Sequence, residues 1–160
     1  TRRIVYFDAA LKLEKTDLLV SSGATSPPPY VTGAFQVSSS ATKVAFEAID
    51  VNLMEASRTV NIALAGAESR IALSDFTSQT SSQRISIAAN GTKGEVKIGT
   101  VLMYGIPEVI IESGAQGTTS VAGNPNTINS TQLIRIRAGL GGSCSANAQG
   151  LNASQILLCR

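Results

Sequence analysis

Every odd position from Val5 to Leu13, close to the start of the chain, is apolar, while the even positions are Tyr6, Asp8, Ala10 and Lys12. A period of two residues is typical of a half-buried β-strand, because successive side chains point to opposite faces of a sheet. At about 3.3 Å per residue, the strand spans roughly 30 Å, the height of a whole sheet. We therefore predict an N-terminal extension strand over residues 1–20. Its apolar positions are Val5, Phe7, Ala9, Leu11 and Leu13.

A spacer separates this strand from the rest of the chain. Residues 21–26 are small and mostly polar, and three consecutive prolines, Pro27 to Pro29, follow them. Proline lacks the N–H that a strand ladder needs, so this run cannot continue a sheet. These features predict a linker over residues 21–30 and a folded body over residues 31–160.

Short apolar runs separated by turn residues fill the body. A spacing of about 8–12 residues between such runs is typical of an all-β protein. Asn90-Gly91 is the strongest hairpin signal, with a positive φ expected at Asn90. Residues 59–64 and 70–73 predict a second hairpin around a short loop. We therefore predict a single antiparallel β-sandwich, Ig-like or jelly-roll-like, that carries the N-terminal extension strand.

Two segments of the body depart from simple alternation. Residues 43–53 change phase near Ile49, which predicts a bulge or a break between strands, with a helix over residues 45–56 as the alternative. Gly105-Ile106-Pro107 predicts a turn between two apolar arms that lie inside the sheets.

The C-terminal third begins with a segment, residues 114–130, that is rich in Gly, Thr and Asn. A segment of this length and composition predicts an exposed loop. After it, alternation from residue 132 to 137 places Ile134 and Ile136 inward. The same alternation places Arg135 and Arg137 on the outer face.

Composition narrows the class of protein. The 160 residues are enough for one domain with a buried core. Charged residues make up 15% of the chain, against about a quarter in a typical globular protein. The surface is therefore built largely from Ser, Thr, Asn, Gln and Gly, as is common in extracellular filaments and shells.

Charge and hydropathy argue against two kinds of partner. The formal net charge is only +2, and the basic residues are scattered without interleaved aromatic residues. This pattern predicts no nucleic-acid-binding face. No apolar run approaches the roughly 20 residues of a membrane-spanning helix, and no signal peptide is visible.

The inventory of reactive side chains predicts a protein that is not an enzyme and that has no cofactor. The chain has no histidine, which removes the usual nucleophile systems that use histidine as a base. Carboxylates are present, but their spacing selects no catalytic pair. Two cysteines without histidine cannot form a four-ligand zinc site. The glycines at 139–142 do not lie between a strand and a helix, as a phosphate-binding loop requires.

Cys144 and Cys159 are the only cysteines. A disulfide between them would close a loop of about 15 residues and contribute roughly 3 kcal/mol in the chain-entropy model. We predict this disulfide, which implies an oxidising compartment, and keep two free thiols as the alternative. Three sequons make Asn90, Asn129 and Asn152 candidate glycosylation sites.

The long tethered strand predicts assembly by β-augmentation, in which main-chain hydrogen bonds provide affinity and alternate side chains fill pockets. Burial of the four larger apolar residues of the extension would contribute on the order of 6–12 kcal/mol before ordering costs. A head-to-tail joint of this kind need not close, so it generates a filament. We therefore predict a self-assembling subunit of an extracellular filament or pilus, whose partners are copies of itself.

This layout of strand, spacer and all-β body resembles that of the pilins that polymerise by donor-strand complementation. In that family each subunit lends an N-terminal extension to complete the sheet of its neighbour. The chaperone-assembled members place their disulfide early in the domain, whereas Cys144 and Cys159 lie at the end. A C-terminal disulfide loop is similar to that of type IV pilins, whose long apolar N-terminal helix is absent here.

Two alternatives stay open. If the N-terminal strand pairs within its own chain, a viral coat, tube or decoration protein of the sandwich type is the leading interpretation, and its location is the virion. A carbohydrate-binding or adhesion module is the other, with a host or surface ligand. Such a module needs exposed aromatic side chains or a metal site, and Tyr6, Tyr30 and Tyr104 are the candidate aromatic residues.

Overall fold

The computed structural model describes residues 3–6, 10–19, 35–54, 59–79, 84–122, 127–147 and 149–159. Every regular element in these ranges is a β-strand. The strands are β1 (Arg3–Tyr6), β2 (Ala10–Leu19), β3 (Phe35–Ser39), β4 (Ala45–Met54), β5 (Thr59–Leu64), β6 (Arg70–Gln79), β7 (Arg84–Ala89), β8 (Glu95–Ile98), β9 (Val101–Ser113), β10 (Thr118–Val121), β11 (Thr127–Arg137), β12 (Ser143–Ala146), β13 (Leu151–Asn152) and β14 (Gln155–Leu158).

All pairings between these strands are parallel, and partners lie about one coil apart in the sequence. Val37 pairs with Ile62, for example, and Ile62 pairs with Ile87. The chain is thus a parallel β-solenoid of stacked coils. The predicted all-β class is confirmed, but the predicted antiparallel sandwich is wrong.

Strand segments of each coil pair with the equivalent segments of the coils before and after it. These pairings form three parallel ladders, which we call A, B and C. Ladder A contains β1, β3, β5, β7, residues 108–113 of β9, residues 133–137 of β11, and β14. Ladder B contains residues 10–14 of β2, 45–49 of β4 and 70–73 of β6, followed by β8, β10 and β12. Ladder C contains residues 16–19, 51–54, 76–79, 101–104 and 127–129, followed by β13.

The core lies inside the coils as columns of equivalent side chains. In ladder A one column is completely buried over five consecutive coils and consists of Val37, Ile62, Ile87, Ile111 and Ile136. One coil cannot bury its apolar face alone, so each gains its stability from the coils above and below it. The repeat of about 25 residues therefore determines the fold, and our sequence interpretation did not detect it.

Asn90-Gly91 forms a turn, but the turn does not close a hairpin. It joins β7 in ladder A to β8 in ladder B, and each of these strands pairs with strands of neighbouring coils. The expected positive φ at Asn90 is also wrong, because the left-handed residue of this turn is Lys93, with φ +57°. Residues 59–64 and 70–73 likewise belong to different ladders.

The turns between ladders A and B repeat the left-handed conformation from coil to coil. Lys43, Glu68, Lys93 and Gln116 have φ between +56° and +58°. Each N–H donates a hydrogen bond to a carbonyl oxygen of the next coil, as from Lys93 to Ala115 at 2.8 Å. These bonds offset the steric cost of the left-handed conformation for residues that have a β-carbon.

Several local predictions can be compared with the strands. The phase change near Ile49 is present, since β4 passes from ladder B to ladder C, and the helix alternative is wrong. At the equivalent bend of β6, Asp75 has φ +51°.

The predicted turn at Gly105 is instead a bend inside β9, with φ +67° at Gly105. The predicted loop over residues 114–130 contains β10 and the start of β11.

The N-terminal strands lie alongside strands of their own chain. β1 pairs with β3, and β2 pairs with β4. The register sets Val5 beside Val37, and it sets Leu11 beside Phe46. Residues 20–34, which include the predicted linker, lie outside the described residues, as do Phe7 and Ala9.

Candidate functional site

A disulfide joins Cys144 and Cys159, as predicted, with their Cα atoms 5.2 Å apart. Cys144 lies in ladder B, where it continues the buried column of Phe46, Ile71, Val96 and Thr119. Cys159 directly follows the last strand of ladder A, and its N–H donates to Ile136 O at 2.8 Å. The disulfide therefore ties two ladders together at the C-terminal end of the core.

The last coil ends in an edge formed by β12, β13 and β14, which we call the C-terminal edge. Each of these strands pairs on one side only within the described part of the chain. Ile156 is 38% exposed, whereas Ile134, its neighbour in the preceding coil, is fully buried. The core column thus reaches the surface here, beside strand groups that lack a second partner.

A groove of about 670 Å³ runs along the corner between ladders A and B, and we call it the corner groove. It begins at Asn90 and ends at the disulfide. Its lining residues are Asn90, Glu112, Ser113, Gly114, Arg137, Ala138, Gly139, Leu140, Gly142, Cys144 and Cys159.

The groove follows the turns that join ladders A and B in three successive coils. Residues 90–94 join β7 to β8, residues 114–117 join β9 to β10, and residues 138–142 join β11 to β12. Gly114 packs against the carbonyl oxygens of both Asn90 and Gly91 in the preceding coil. Asn90 is exposed at the rim, and the small residues beyond it form the floor.

Glu112 and Arg137 are the ionisable side chains that line the corner groove. The Arg137 Nε donates to Glu112 Oε2 at 2.8 Å, and Arg135 Nη2 lies 3.8 Å from the same oxygen. The side chain of Glu112 is 19% exposed and that of Arg137 is 50% exposed. Two guanidinium groups therefore share one carboxylate, so this cluster of three side chains, two of which line the groove, has one net positive charge.

The described residues of the predicted donor strand belong neither to the C-terminal edge nor to the corner groove. Val5 lies in β1, and Leu11 and Leu13 lie in β2, at the opposite end of the solenoid from the disulfide. Whether these strands also serve a neighbouring copy stays a prediction.

The candidate glycosylation residues are all exposed. Asn90 lies at the rim of the corner groove. Asn129 and Asn152 are direct neighbours in ladder C, and Tyr104 lies on the other side of Asn129. Of the aromatic residues considered for carbohydrate binding, Tyr104 is 38% exposed, whereas the side chain of Tyr6 and all of Tyr30 lie outside what is described.

The chain matches no protein-family model, no curated protein and no solved structure. Its fold defines it as a parallel β-solenoid with a C-terminal disulfide. Among the described residues, no three His, Cys, Asp or Glu side chains form a group that could hold a metal ion. Within the same ranges, no helix is long and apolar enough to cross a membrane.

Our sequence interpretation placed Arg135 and Arg137 correctly on the outer face, but it did not connect them with Glu112. A comparison of the chain with itself at a spacing of 25 residues would have made this connection, because Glu112 and Arg137 are 25 residues apart and pair directly. The same comparison would have aligned Ile111 with Ile136.

Proposed function

We propose that this protein is a structural subunit that assembles end to end into an extracellular filament. The observation that supports this best is the C-terminal edge, where Ile156 is 38% exposed beside strands with one partner each in the described part of the chain. Unpaired strand edges with apolar side chains are templates for further pairing. Solenoids that stay monomeric cover such ends with polar capping repeats.

The opposite end offers a matching template. Among the strands that the structure describes, β1 and β2 are the outermost of ladders A and B at the N-terminal end, and they run parallel to their partners. A C-terminal edge that stacks on this end would continue the parallel ladders. The contact joins two different surfaces, so it repeats along an open filament instead of closing into a dimer.

This proposal keeps the self-assembling filament expected from the sequence and changes the contact that forms it. β1 and β2 pair with β3 and β4 of their own chain, so assembly by stacking requires no strand to leave its coil. The disulfide strengthens the proposal in two ways. It holds the last coil in register, and a disulfide suits an oxidising, extracellular setting.

Substitutions on β14 test the proposal. Ile156→Lys places a charge in the exposed column, and Gln155→Lys places the same charge at an exposed position one residue earlier. We expect negative-stain microscopy and analytical ultracentrifugation to show concentration-dependent filaments for the wild type and for Gln155→Lys. Ile156→Lys should remain monomeric while its circular dichroism spectrum stays that of a β-protein.

Two results would reject end-to-end assembly. One is a wild-type chain that remains monomeric at millimolar concentration, and the other is a closed dimer that does not grow. Filaments formed equally well by both lysine variants would place the contact elsewhere. In that case, a variant that lacks residues 1–34 would test donation of the N-terminal strands.

A further inference from the structure

We infer that the corner groove is a binding site for a small ligand that carries a carboxylate, and that Arg137 is the residue that holds this carboxylate. The inference concerns a lateral surface of the solenoid and does not depend on end-to-end assembly. It rests on the charges of the groove wall, on the free edge of one guanidinium group, and on the shape of the groove.

The net charge of the cluster of Glu112, Arg137 and Arg135 favours an anion, although Arg135 itself does not line the groove. Glu112 accepts from Arg137 through Nε at 2.8 Å, and Arg135 approaches the same oxygen from the neighbouring outward position. Without Arg135 the pair of Glu112 and Arg137 would be neutral. With Arg135, the cluster keeps one positive charge that a ligand can neutralise.

The orientation of Arg137 leaves its best binding edge available. Its contact with Glu112 uses Nε, and among the described residues neither Nη1 nor Nη2 of Arg137 has a hydrogen-bond partner. These two nitrogens form a planar pair that fits the two oxygens of a carboxylate. Because Glu112 holds the guanidinium from one side, the free edge is oriented before a ligand arrives.

The rest of the groove suits a small polar ligand that also has an apolar part. Asn90 provides an amide at one rim, and Leu140, which is 91% exposed, provides an apolar side chain at the turn. The volume of about 670 Å³ lies within the range of small-molecule sites. An acidic sugar and the C-terminus of a short peptide share this chemistry, so the test must separate these two sources.

The experiment is a titration of the isotope-labelled 160-residue chain, with its disulfide intact, followed by amide resonances. The probes are a disaccharide of glucuronic acid and N-acetylglucosamine, and the dipeptide acetyl-Gly-Leu. Their controls are the same disaccharide with glucose in place of glucuronic acid, and the dipeptide amide. We expect saturable shifts at Asn90 and at residues 137–142 for at least one acidic probe, and binding at least roughly tenfold weaker for its neutral control.

Variants assign the role of the arginine. Arg137→Gln should weaken binding of the acidic probe by roughly tenfold or more. Arg84→Gln is the matched control, because Arg84 also lies on ladder A and forms an ion pair with Glu108, 2.7 Å away, but does not line the groove. It should leave the affinity unchanged.

Binding of only the sugar or only the peptide would identify the source of the carboxylate, and either result supports the site. The inference is overturned if neither acid saturates the groove at about 10 mM or less, roughly the weak limit of specific recognition. It is also overturned if acid and neutral control bind equally, or if Arg84→Gln weakens binding as much as Arg137→Gln does. The titration is done at a protein concentration below the onset of assembly, so none of these outcomes depends on whether the chain forms filaments at higher concentration.

Discussion

Gly91 packs its α-carbon directly against the carbonyl oxygen of Gly66 in the preceding coil, and a β-carbon at position 91 would overlap that oxygen. Gly114 and Gly139 are confined in the same way by the coils that precede them. The backbones of successive turns are thus in contact, and no other residue type fits without moving a coil. The stacked turns between ladders A and B, which we call the turn stack, therefore require glycine at these three positions.

Gly91→Ala should therefore destabilise the protein by more than about 3 kcal/mol, because the added methyl group would overlap backbone atoms of Gly66 and Ala67, which cannot rotate away as a side chain can. Gly105→Ala is the matched control: no atom lies within 4 Å of the position that its methyl group would take, but φ is +67°. Its cost should be only about 1 kcal/mol, from the left-handed conformation alone. Urea unfolding followed by circular dichroism measures both values. Equal losses would show that the stack tolerates a methyl group.

Removal of the disulfide should lower stability without changing the fold. A double variant, Cys144→Ser with Cys159→Ser, loses a link across 15 residues. The chain-entropy model predicts a loss of about 3 kcal/mol. Unfolding curves of the wild type with and without reductant should show the same difference, and the double variant should not respond to reductant. A loss below about 1 kcal/mol would mean that the last coil is held mainly by its strand pairing.

Thr119 is a polar residue in an otherwise apolar column, and its side chain is completely buried. The hydroxyl lies 2.8 Å from Arg137 O and 2.9 Å from Ser113 Oγ. Thr119→Val keeps the shape but leaves these two groups without this partner, so it should cost about 1–3 kcal/mol. Thr118→Val, at the exposed neighbouring position, should change stability by less than about 0.5 kcal/mol. Thermal unfolding of the two variants would contradict this account if their midpoints were the same.

The ion pairs between coils should differ in strength according to their burial. Glu112, 19% exposed, contacts two arginines, whereas Glu95, 45% exposed, lies 3.7 Å from Arg70. Glu112→Gln should therefore cost about 1–2 kcal/mol, and Glu95→Gln less than about 1 kcal/mol. Denaturant unfolding in low and high salt measures both. If the more exposed pair proved to be the stronger one, burial would not be the deciding factor.

Much of the local structure could be predicted from the sequence. Alternation correctly placed Ile134 and Ile136 inward and the two arginines outward, and the phase change near Ile49 marked a real bend. The pairing of Cys144 with Cys159 was also correct, since no other cysteine was available. These properties depend on one strand, or on one pair of residues, and the sequence contains them directly.

The corner groove could not be predicted in this way. It is lined by turn residues of three successive coils, and by the ion pair between Glu112 and Arg137 in two of them. Neither feature is visible until the coils are aligned. A hairpin interpretation of Asn90-Gly91 pairs residues that are close in sequence, whereas the strands on either side of it pair with residues of the coils above and below.

The sequence by itself determined that this protein is built from strands, which side chains face inward, and which cysteines are joined. Only the tertiary structure decided that neighbouring strands run parallel and belong to successive coils. The physical reason is that alternation of side chains is the same in parallel and antiparallel strands, so it does not specify the partner. The partner is chosen by the stacking of equivalent residues, such as Ile87 on Ile62, which buries the apolar face of every coil against the next.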